Sequence, residues 1–351
     1  MKINLTKNRT VGEDLIPYVI AELGSNHNGN MELSKRMIDA AKESGADCVK
    51  FQSWSKETIF SRKSYDDNYF LADDYRDRND YTMEEIVEEY SISEQELLEM
   101  KQYADSIGID CTSTPFSKCE VDFLVDELKV EFIKIASMDV NNYPFISYIA
   151  RKGKPIVIST GLSTLSEINR AIETIENAGN KNIVILHCVA IYPPEDNEIN
   201  LRNIDTLSKI YPYPVGFSDH TLGTCVSIAA VAKGACMLEK HFTLDKEMEG
   251  WDHKISTTPD ELKEIVTATK KVHAALGTGR IYQEENEERL KSFRRSIVAA
   301  RKIRAGEKIT EDMIDYKRPG TGLAPGSFEY VLGKTAKCDI PYDQIITQDD
   351  F

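Results

Sequence analysis

The sequence lacks the features that mark several classes of protein. No apolar run approaches the roughly 18 residues that span a membrane, and the first residues, MKINLTKNRT, contain no apolar stretch of the signal-peptide kind. Basic residues are fewer than acidic ones: the sequence contains 43 lysines and arginines and 58 aspartates and glutamates, which gives a net charge of −15. We therefore expect a cytoplasmic protein that binds neither nucleic acid nor a membrane.

Cysteine and histidine are both scarce. The 7 cysteines are scattered, and no two of them have CxxC spacing. This pattern argues against a disulfide framework and against a structural zinc site, which needs clustered thiolates. The 6 histidines are few enough for each to be assessed as a possible ligand or catalyst.

Short β-branched segments alternate with amphipathic segments between residues 18 and 241. The amphipathic segments have helical spacing and end near a glycine, as at 31–44 before Gly45. Eight alternations predict an α/β fold of the (β/α)8 TIM-barrel type. A doubly wound open sheet is the alternative, but the first turn, GSNHNG, does not match the GxGxxG sequence typical of that fold. The predicted strands cover residues 18–22, 48–52, 110–114, 132–137, 155–160, 183–187, 215–218 and 237–241.

Two segments interrupt this alternation. Residues 53–93 are irregular and rich in Asp, Tyr and Arg, and we interpret them as a lid or binding loop. Residues 281–292 (IYQEENEERLKS) are highly charged and indicate a linker that is helical in part. The predicted organisation is a catalytic barrel over 1–280, a linker over 281–292 and a small β-rich domain over 293–351. So short a domain has a marginal core by itself.

Every predicted strand ends in polar or ionisable side chains. In a parallel barrel the C-terminal strand ends form the active site, so the repetition favours a catalytic function over incidental surface polarity. The residues at these ends are Glu22, Lys50, Gln52, Thr112, Ser113, Thr114, Lys134, Ser137, Ser159, Thr160, His187, Ser218, His220 and His241.

Two of these histidines end neighbouring strands. His220 and His241 would lie at similar heights on strands about 4.8 Å apart, so they could chelate one metal ion and leave positions open for substrate. The alternative is that they are core or substrate-binding histidines.

Two lysines project into the same predicted mouth. Lys50 and Lys134, together with nearby serine hydroxyls, would suit a small anion that carries both a phosphate and a carboxylate. They could instead form structural ion pairs with Glu22 and Glu239, or one could form a Schiff base as in class I aldolases.

A series of motifs in chain order resembles the sialic acid synthase family. The barrel motifs are IAELGSNHNGN, GADCVKFQS, STPFS, FIKIAS, ISTG, LHCVAIYP, GFSDHT and LEKHFTLD. The segments RSIVAARKIRAGEKIT and YKRPGTGL resemble the family's C-terminal antifreeze-like (SAF) domain. The resemblance implies condensation of phosphoenolpyruvate with N-acetylmannosamine or a related N-acyl aldose, giving a nine-carbon 2-keto acid and phosphate. A legionaminic or pseudaminic acid synthase using a 2,4-diacetamido-2,4,6-trideoxyhexose is the alternative, and a Schiff-base sialate lyase-type aldolase is the third interpretation.

The resemblance also implies a role for individual residues. A divalent metal, manganese or magnesium, would be held by His220 and His241, and Glu22 would act near the reacting carbons. The residues implied for phosphoenolpyruvate are Lys50, Lys134, Ser137, Ser159 and Ser218. The residues implied for the sugar are Gln52, Asp139, Tyr192, Asp252 and Arg318.

Two positions depart from the pattern of N-acetylneuraminate-forming members. The SGE of those members is Ser137–Met138–Asp139 here, and the Asn of their HCTNIYP motif is Ala190. These changes bear on the identity of the sugar more than on the reaction. The resemblance further implies a domain-swapped homodimer in which Arg318 enters the barrel of the partner subunit.

Overall fold

A computed structural model of the chain describes residues 1–67, 82–281 and 286–351. These residues form two compact units, Met1–Thr278 and Gly279–Phe351. Within the described residues, no helix has the length and apolarity needed to cross a membrane.

The first unit is built on eight parallel strands. They follow a short antiparallel hairpin of β1 (Lys2–Asn4) and β2 (Thr10–Gly12). The eight strands are β3 (Tyr18–Gly24), β4 (Cys48–Ser53), β5 (Asp110–Pro115), β6 (Ile133–Ile135), β7 (Ile156–Ser159), β8 (Ile183–Cys188), β9 (Val215–Asp219) and β10 (Met237–His241). Each predicted strand is present, with ends within two residues of those predicted from the sequence.

The sheet order is β5-β4-β3-β10-β9-β8-β7-β6, so β5 and β6 are its outer members. These two strands meet, because the Thr112 hydroxyl on β5 donates a 3.0 Å hydrogen bond to the carbonyl of Phe132, directly before β6. This contact closes the sheet into a barrel. The predicted TIM-barrel fold is therefore confirmed.

Helices connect successive strands along the outside of the barrel. Several begin with a capping box, as in α5, where Ser93 and Glu96 each bond the other's backbone N–H. The helices of this unit are α1 (Met31–Ser44), α2 (Lys56–Ile59), α3 (Arg62–Asp66), α4 (Met83–Tyr90), α5 (Glu94–Ile107), α6 (Lys118–Asp122), α7 (Tyr143–Arg151), α8 (Leu165–Asn177), α9 (Arg202–Ile210), α10 (Cys225–Ala232) and α11 (Pro259–Leu276).

The interior of the barrel is apolar at one end and charged at the other. Apolar residues at the N-terminal strand ends pack with the β1–β2 hairpin; this cluster contains Ile3, Val11, Ile20, Cys48, Phe132 and Met237. Side chains alternate along a strand, so residues two positions further on point to the same interior. Glu22 follows Ile20 in this way, Lys50 follows Cys48, and Glu239 follows Met237. Alternation thus places the charged groups at the C-terminal end of the barrel.

The segment after β4 differs from its prediction as an irregular loop. It contains α2, α3 and α4, while residues 68–81 lie outside the described residues. Helix α4 is amphipathic and buries Met83, Ile86, Val87 and Tyr90 against Trp54. The aspartate- and glutamate-rich composition obscured this short apolar stripe, although Thr82 and Glu85 form a capping box at its start.

The second unit is small and has its own apolar core. Helix α12 (Glu287–Phe293) occupies part of the predicted linker. Strands β11 (Ser296–Ala299) and β12 (Ile314–Lys317) pair in antiparallel fashion, and α13 (Phe328–Val331) follows them. The buried core of this unit includes Ile297, Ile303, Ile309, Ile340 and Ile346.

Candidate active site

A cavity of about 540 Å³ opens at the C-terminal ends of the barrel strands. This volume suits a small-molecule ligand. The predicted site residues that line it are Glu22, Lys50, Gln52, Lys134, Ser137, Ser159, Tyr192, Ser218, His220, His241 and Asp252. Asp139, as far as the described residues go, is not part of this lining; its carboxylate accepts a 3.0 Å hydrogen bond from Asn142. Arg318 belongs to the second unit, where its guanidinium lies 5.4 Å from the ring centroid of Phe293.

Two lysines and two glutamates form a buried charge cluster at the base of the cavity. Lys50 Nζ is in contact with Glu22 Oε2 and lies 3.8 Å from Glu239 Oε2. Lys134 Nζ lies 3.6 Å from Glu239 Oε1. Lys50 also donates to Thr114 Oγ1 at 2.8 Å. All four charged side chains are at least 90% shielded from solvent, so their interactions are weakly screened.

The surroundings shift the pKa values of these groups in different directions. Burial raises the pKa of Glu22 to about 7, opposed by the charge of Lys50 and reinforced by that of Glu239. Burial lowers the pKa of Lys134, and the attraction of Glu239 offsets this only in part. Burial also lowers the pKa of Lys50, but the charges of Glu22 and Glu239 have a larger combined effect, so the pKa of Lys50 is raised. Glu22 is therefore the group best placed to exchange a proton near neutral pH.

The two predicted metal-binding histidines face each other across neighbouring strands. The ring centroids of His220 and His241 are 5.5 Å apart. His220 Nδ1 lies 2.7 Å from the carbonyl oxygen of Val189, which can only accept, so Nδ1 carries the proton. Burial lowers the pKa of His241 well below its ordinary value and favours the neutral, ligating form.

These residues fit a divalent cation. His241 Nδ1 is buried, has no hydrogen-bond partner among the described residues and lies 3.6 Å from Asp252 Oδ2. Glu239 Oε2 is also buried, and no residue in the described ranges forms a hydrogen bond with it. Neutral imidazole and carboxylate oxygen are both donors that divalent cations accept in proteins. No group of three or more His, Cys, Asp or Glu side chains in the described part of the chain is arranged as a complete metal site.

Hydroxyl groups surround the lysines. Ser218 donates to Glu239 Oε1 at 3.1 Å, and Ser137 Oγ accepts from the backbone N–H of Gly161 at 3.0 Å. Ser159 Oγ is buried and has no hydrogen-bond partner within the described residues. Such a group gains by donating to a bound anion, since burial without a partner costs free energy.

The outer part of the cavity is largely apolar. Its lining includes Ile59, Phe60 and Val87, which the sequence analysis did not single out. The rings of Trp54 and Trp251 meet edge to face with centroids 6.5 Å apart. Of the residues at which the sequence departs from the resemblance, Met138 and Ala190 line this cavity, whereas Asp139 does not belong to the lining among the described residues.

The structure adds site residues that the sequence analysis missed or gave another role. Glu239, considered only as an ion-pair partner, lies between both lysines; it faces the interior because it is two residues before His241. Burial raises the pKa of the Cys188 thiol, but its hydrogen bonds with His220 and Ser137 and the charges of His220 and Lys134 together outweigh burial and lower that pKa. Cys188 lies one residue beyond the predicted end of β8, and it faces the interior because it is two residues after Leu186 of the interior apolar cluster.

Comparisons with known proteins identify the family of this chain. Residues 37–281 match the NeuB family, and residues 294–351 match the SAF domain. The N,N'-diacetyllegionaminic acid synthase of Legionella pneumophila is 37% identical, over 95% of this chain and 93% of that protein. The N-acetylneuraminate-9-phosphate synthase of Homo sapiens is 35% identical, over 99% of this chain and 96% of that protein.

A solved structure shows the same similarity. The N-acetylneuraminic acid synthetase from Leptospira borgpetersenii, in complex with citrate, matches with a TM-score of 0.73 and 31% identity. The match covers 82% of this chain and 94% of that one. The resemblance found in the sequence motifs is confirmed: the chain belongs to the NeuB family, carries a SAF domain, and is an enzyme of the nonulosonic acid synthase type.

Proposed function

We propose that this enzyme condenses phosphoenolpyruvate with the open-chain form of an N-acyl aldose. The products would be a nine-carbon 2-keto acid and phosphate. The observation that carries the proposal is the buried cluster of Lys50, Lys134, Glu22 and Glu239 beside the paired histidines in one cavity. Ammonium groups for an anionic substrate thus adjoin a carboxyl group that can exchange a proton.

The lysines and hydroxyls would hold phosphoenolpyruvate. Lys50 and Lys134 are compensated by two carboxylates within the cluster. Both ammonium groups would also contact the phosphate and carboxylate groups of the substrate. Ser137, Ser159 and Ser218 would donate to the phosphate and carboxylate oxygens.

The chemistry then requires a base at the reacting carbons. Carbon three of phosphoenolpyruvate attacks the aldehyde carbon and forms the new C–C bond, while the aldehyde C=O π bond opens to an alkoxide and carbon two becomes cationic. Water adds to carbon two as Glu22 accepts one of its protons, which then passes to the alkoxide. The bond between carbon two and the phosphate oxygen breaks as the carbon-two carbonyl forms, and the remaining hydroxyl proton leaves with the phosphate. A divalent cation, when bound at His220 and His241, supplies Lewis acidity for the aldehyde oxygen.

The apolar lining of the outer cavity favours one kind of sugar as the acceptor substrate. Trp54, Phe60 and Val87 provide surfaces for acyl methyl groups and a deoxy carbon, whereas they offer few partners for the hydroxyls of N-acetylmannosamine. Ala190 and Met138 make the lining less polar still. We therefore favour a 2,4-diacetamido-2,4,6-trideoxyhexose, consistent with the name of the Legionella pneumophila relative, over N-acetylmannosamine.

A phosphate-release assay with a panel of aldoses tests this function. The panel contains N-acetylmannosamine, 2,4-diacetamido-2,4,6-trideoxyhexoses and, as a control, unacylated mannose, with each product identified by mass. We expect turnover with an N-acyl aldose, loss of turnover in EDTA and recovery with Mn²⁺. No phosphate release with any aldose would overturn the proposal.

Histidine variants test the metal assignment separately. His220→Ala and His241→Ala should both fold but bind Mn²⁺ orders of magnitude more weakly than the wild type, because a single imidazole replaces a pair. His273→Ala, on α11 and outside the cavity lining, is the control. Near-normal turnover by His241→Ala in chelated buffer would rule out the metal assignment.

The second candidate is a Schiff-base aldolase. It is favoured by one observation, that burial lowers the pKa of Lys134 toward the range in which an amine is nucleophilic. Borohydride trapping with pyruvate separates the two functions, because an aldolase would be labelled at a lysine and the synthase would not.

The proposal extends to assembly. It assigns residues 1–280 to the barrel domain, 281–292 to a linker and 293–351 to the SAF domain, in a cytoplasmic homodimer with Arg318 acting in the partner subunit's barrel. It is supported by the lining of the cavity, which includes no arginine from the described residues. Mixed Arg318→Ala and His241→Ala proteins should regain activity after subunit exchange. If the mixture stays inactive although mass measurements verify subunit exchange, Arg318 does not act in the partner subunit's barrel.

A further inference from the structure

The turn after β3 contains a buried asparagine whose side chain is bonded entirely to the segment after β10. Asn26 is fully shielded from solvent. Its Nδ2 donates to the carbonyl of Phe242 at 2.9 Å and to Ser256 Oγ at 2.8 Å. Its Oδ1 accepts from the backbone N–H of Asp252 at 3.2 Å. These bonds connect positions more than 200 residues apart in the sequence.

A second asparagine of the same turn bonds to the same segment. Asn28 has a positive φ of 50°, and its Nδ2 donates to the carbonyl of Glu249 at 2.6 Å. Its Oδ1 lies 3.2 Å from His253 Nε2, and His253 Nδ1 lies 2.6 Å from Thr243 Oγ1. The approach is close enough to require glycine at position 250, where a Cβ atom would lie 2.5 Å from Asn28 Oδ1.

The segment held in this way carries two side chains of the cavity. Trp251 and Asp252 both line it, whereas Asn26 and Asn28 are not part of that lining in the described chain. Asp252 Oδ2 lies 3.6 Å from His241 Nδ1, and Trp251 packs edge to face with Trp54. The position of both side chains therefore depends on backbone groups that the asparagines bond.

We propose that Asn26 and Asn28 are positioning residues that hold the 249–253 segment so that Trp251 and Asp252 complete the sugar end of the cavity. The identification of this part of the cavity as the sugar end rests on the proposed function. Loss of the Asn26 Nδ2 donor would remove the hydrogen bonds to the Phe242 carbonyl and to Ser256 Oγ and loosen the segment. Phosphoenolpyruvate binding, which depends on other strand ends, would be spared.

Asn26→Asp is the sharpest variant because it keeps the shape and replaces two N–H donors by a carboxylate oxygen. Asn180→Asp is a matched control. Asn180 is buried, donates to the carbonyls of Lys154 at 2.7 Å and Ala150 at 3.4 Å, and accepts from Asn182 N–H at 2.9 Å. It precedes β8, at the opposite end of the barrel from the cavity.

Both variants should lower the melting temperature. Only Asn26→Asp should raise the KM for the sugar, by about tenfold or more, while the KM for phosphoenolpyruvate stays within about twofold of the wild type. Equal changes in both KM values, or equal effects of the two variants on the sugar KM, would overturn the proposal. A wild type that turns over no sugar would count against the proposed function instead.

Fluorescence gives a readout that needs no substrate. Trp54 and Trp251 are the 2 tryptophans of the chain, and both line the cavity. Acrylamide quenching should increase at least twofold in Asn26→Asp and stay unchanged in Asn180→Asp. Unchanged quenching in a folded Asn26→Asp protein would refute the positioning role.

Asn28→Gly keeps the inference testable if Asn26→Asp does not fold. Glycine accepts the positive φ, so the substitution removes only the amide and its contacts. Asn200→Gly is its control, since Asn200 is exposed, has a φ of 49° and donates to the Glu198 carbonyl at 3.0 Å. Asn28→Gly alone should raise the sugar KM and the quenching, and equal behaviour of the two glycine variants would overturn the proposal.

Discussion

Lys240 and Asp219 form a 2.8 Å ion pair within the barrel wall, and each directly precedes one of the two facing histidines. Their side chains are at most 2% exposed. Asp219 also accepts from the N–H and the hydroxyl of Thr221, and Lys240 donates to the Thr221 carbonyl at 2.7 Å. The pair therefore joins β9 to β10 and fixes the turn that carries His220.

Asp219→Asn should destabilise the barrel strongly, because Lys240 would remain buried without its counter-charge. We expect the free energy of unfolding in urea to fall by about 3–5 kcal/mol. The control is Asp205→Asn, which removes the half-exposed partner of Lys233 and should cost less than about 1 kcal/mol. Similar losses in the two variants would show that the buried pair has no special role.

Lys134→Met should weaken phosphoenolpyruvate binding while leaving the sugar KM little changed. Loss of a charge-assisted hydrogen bond to the substrate, about 1.5–3 kcal/mol, predicts a roughly 10–100-fold rise in the KM for phosphoenolpyruvate. Lys152→Met is the control, since Lys152 directly follows α7, pairs with Asp122 at 2.6 Å and is not part of the cavity lining. Steady-state kinetics with each substrate varied in turn make the comparison, and an unchanged phosphoenolpyruvate KM would contradict the assignment.

Glu22 should impose a pH dependence on catalysis. Its raised pKa of about 7 predicts that kcat/KM falls as the pH drops below about 7, because the protonated carboxyl cannot accept a proton from water. Glu22→Gln should be nearly inactive, and its residual kcat/KM should not fall as the pH drops through this range. A wild-type profile that stays flat down to about pH 5 would contradict the base assignment.

The Glu22 carboxyl should also make stability depend on pH, but stability should fall as the pH rises, whereas kcat/KM should fall as the pH drops. Between its ordinary pKa of 4.5 and its folded pKa of about 7, the folded protein retains a proton that the unfolded chain has released. The contribution of Glu22 to stability is therefore present below 4.5 and is lost as the pH rises to about 7. Urea unfolding across this range should show the decline in the wild type, relative to Glu22→Gln.

Gly161→Ala should disturb the serine that its backbone holds. A Cβ atom at Gly161 would lie 2.8 Å from Ser137 Oγ and 3.1 Å from the Ala190 side chain. We expect the KM for phosphoenolpyruvate to rise about tenfold as Ser137 is displaced. Gly326→Ala is the control, because a Cβ atom there would meet no described atom within 4 Å. Equal kinetics for the two alanine variants would remove Ser137 from the proposed site.

Local patterns in the sequence were sufficient to predict the strands and the inward charged groups. Each strand has a β-branched segment, and side-chain alternation fixes which residues share a face. The sequence pattern therefore predicts that Lys50, Lys134 and His241 lie at one mouth of the barrel. Helix α4 was missed because its apolar stripe is short and lies within a highly charged segment.

Other features depended on the closure of the barrel. Proximity between Lys50 and Glu22, or between Lys134 and Glu239, is set by strand register and curvature, neither of which leaves a local pattern.

The sequence by itself thus determined which strand ends carry charge, because alternation is a property of neighbouring residues. Only the tertiary structure decided which lysine meets which glutamate and which segment Asn26 supports. Those contacts join residues that are distant in the chain, and their geometry is fixed only when all eight strands have packed together.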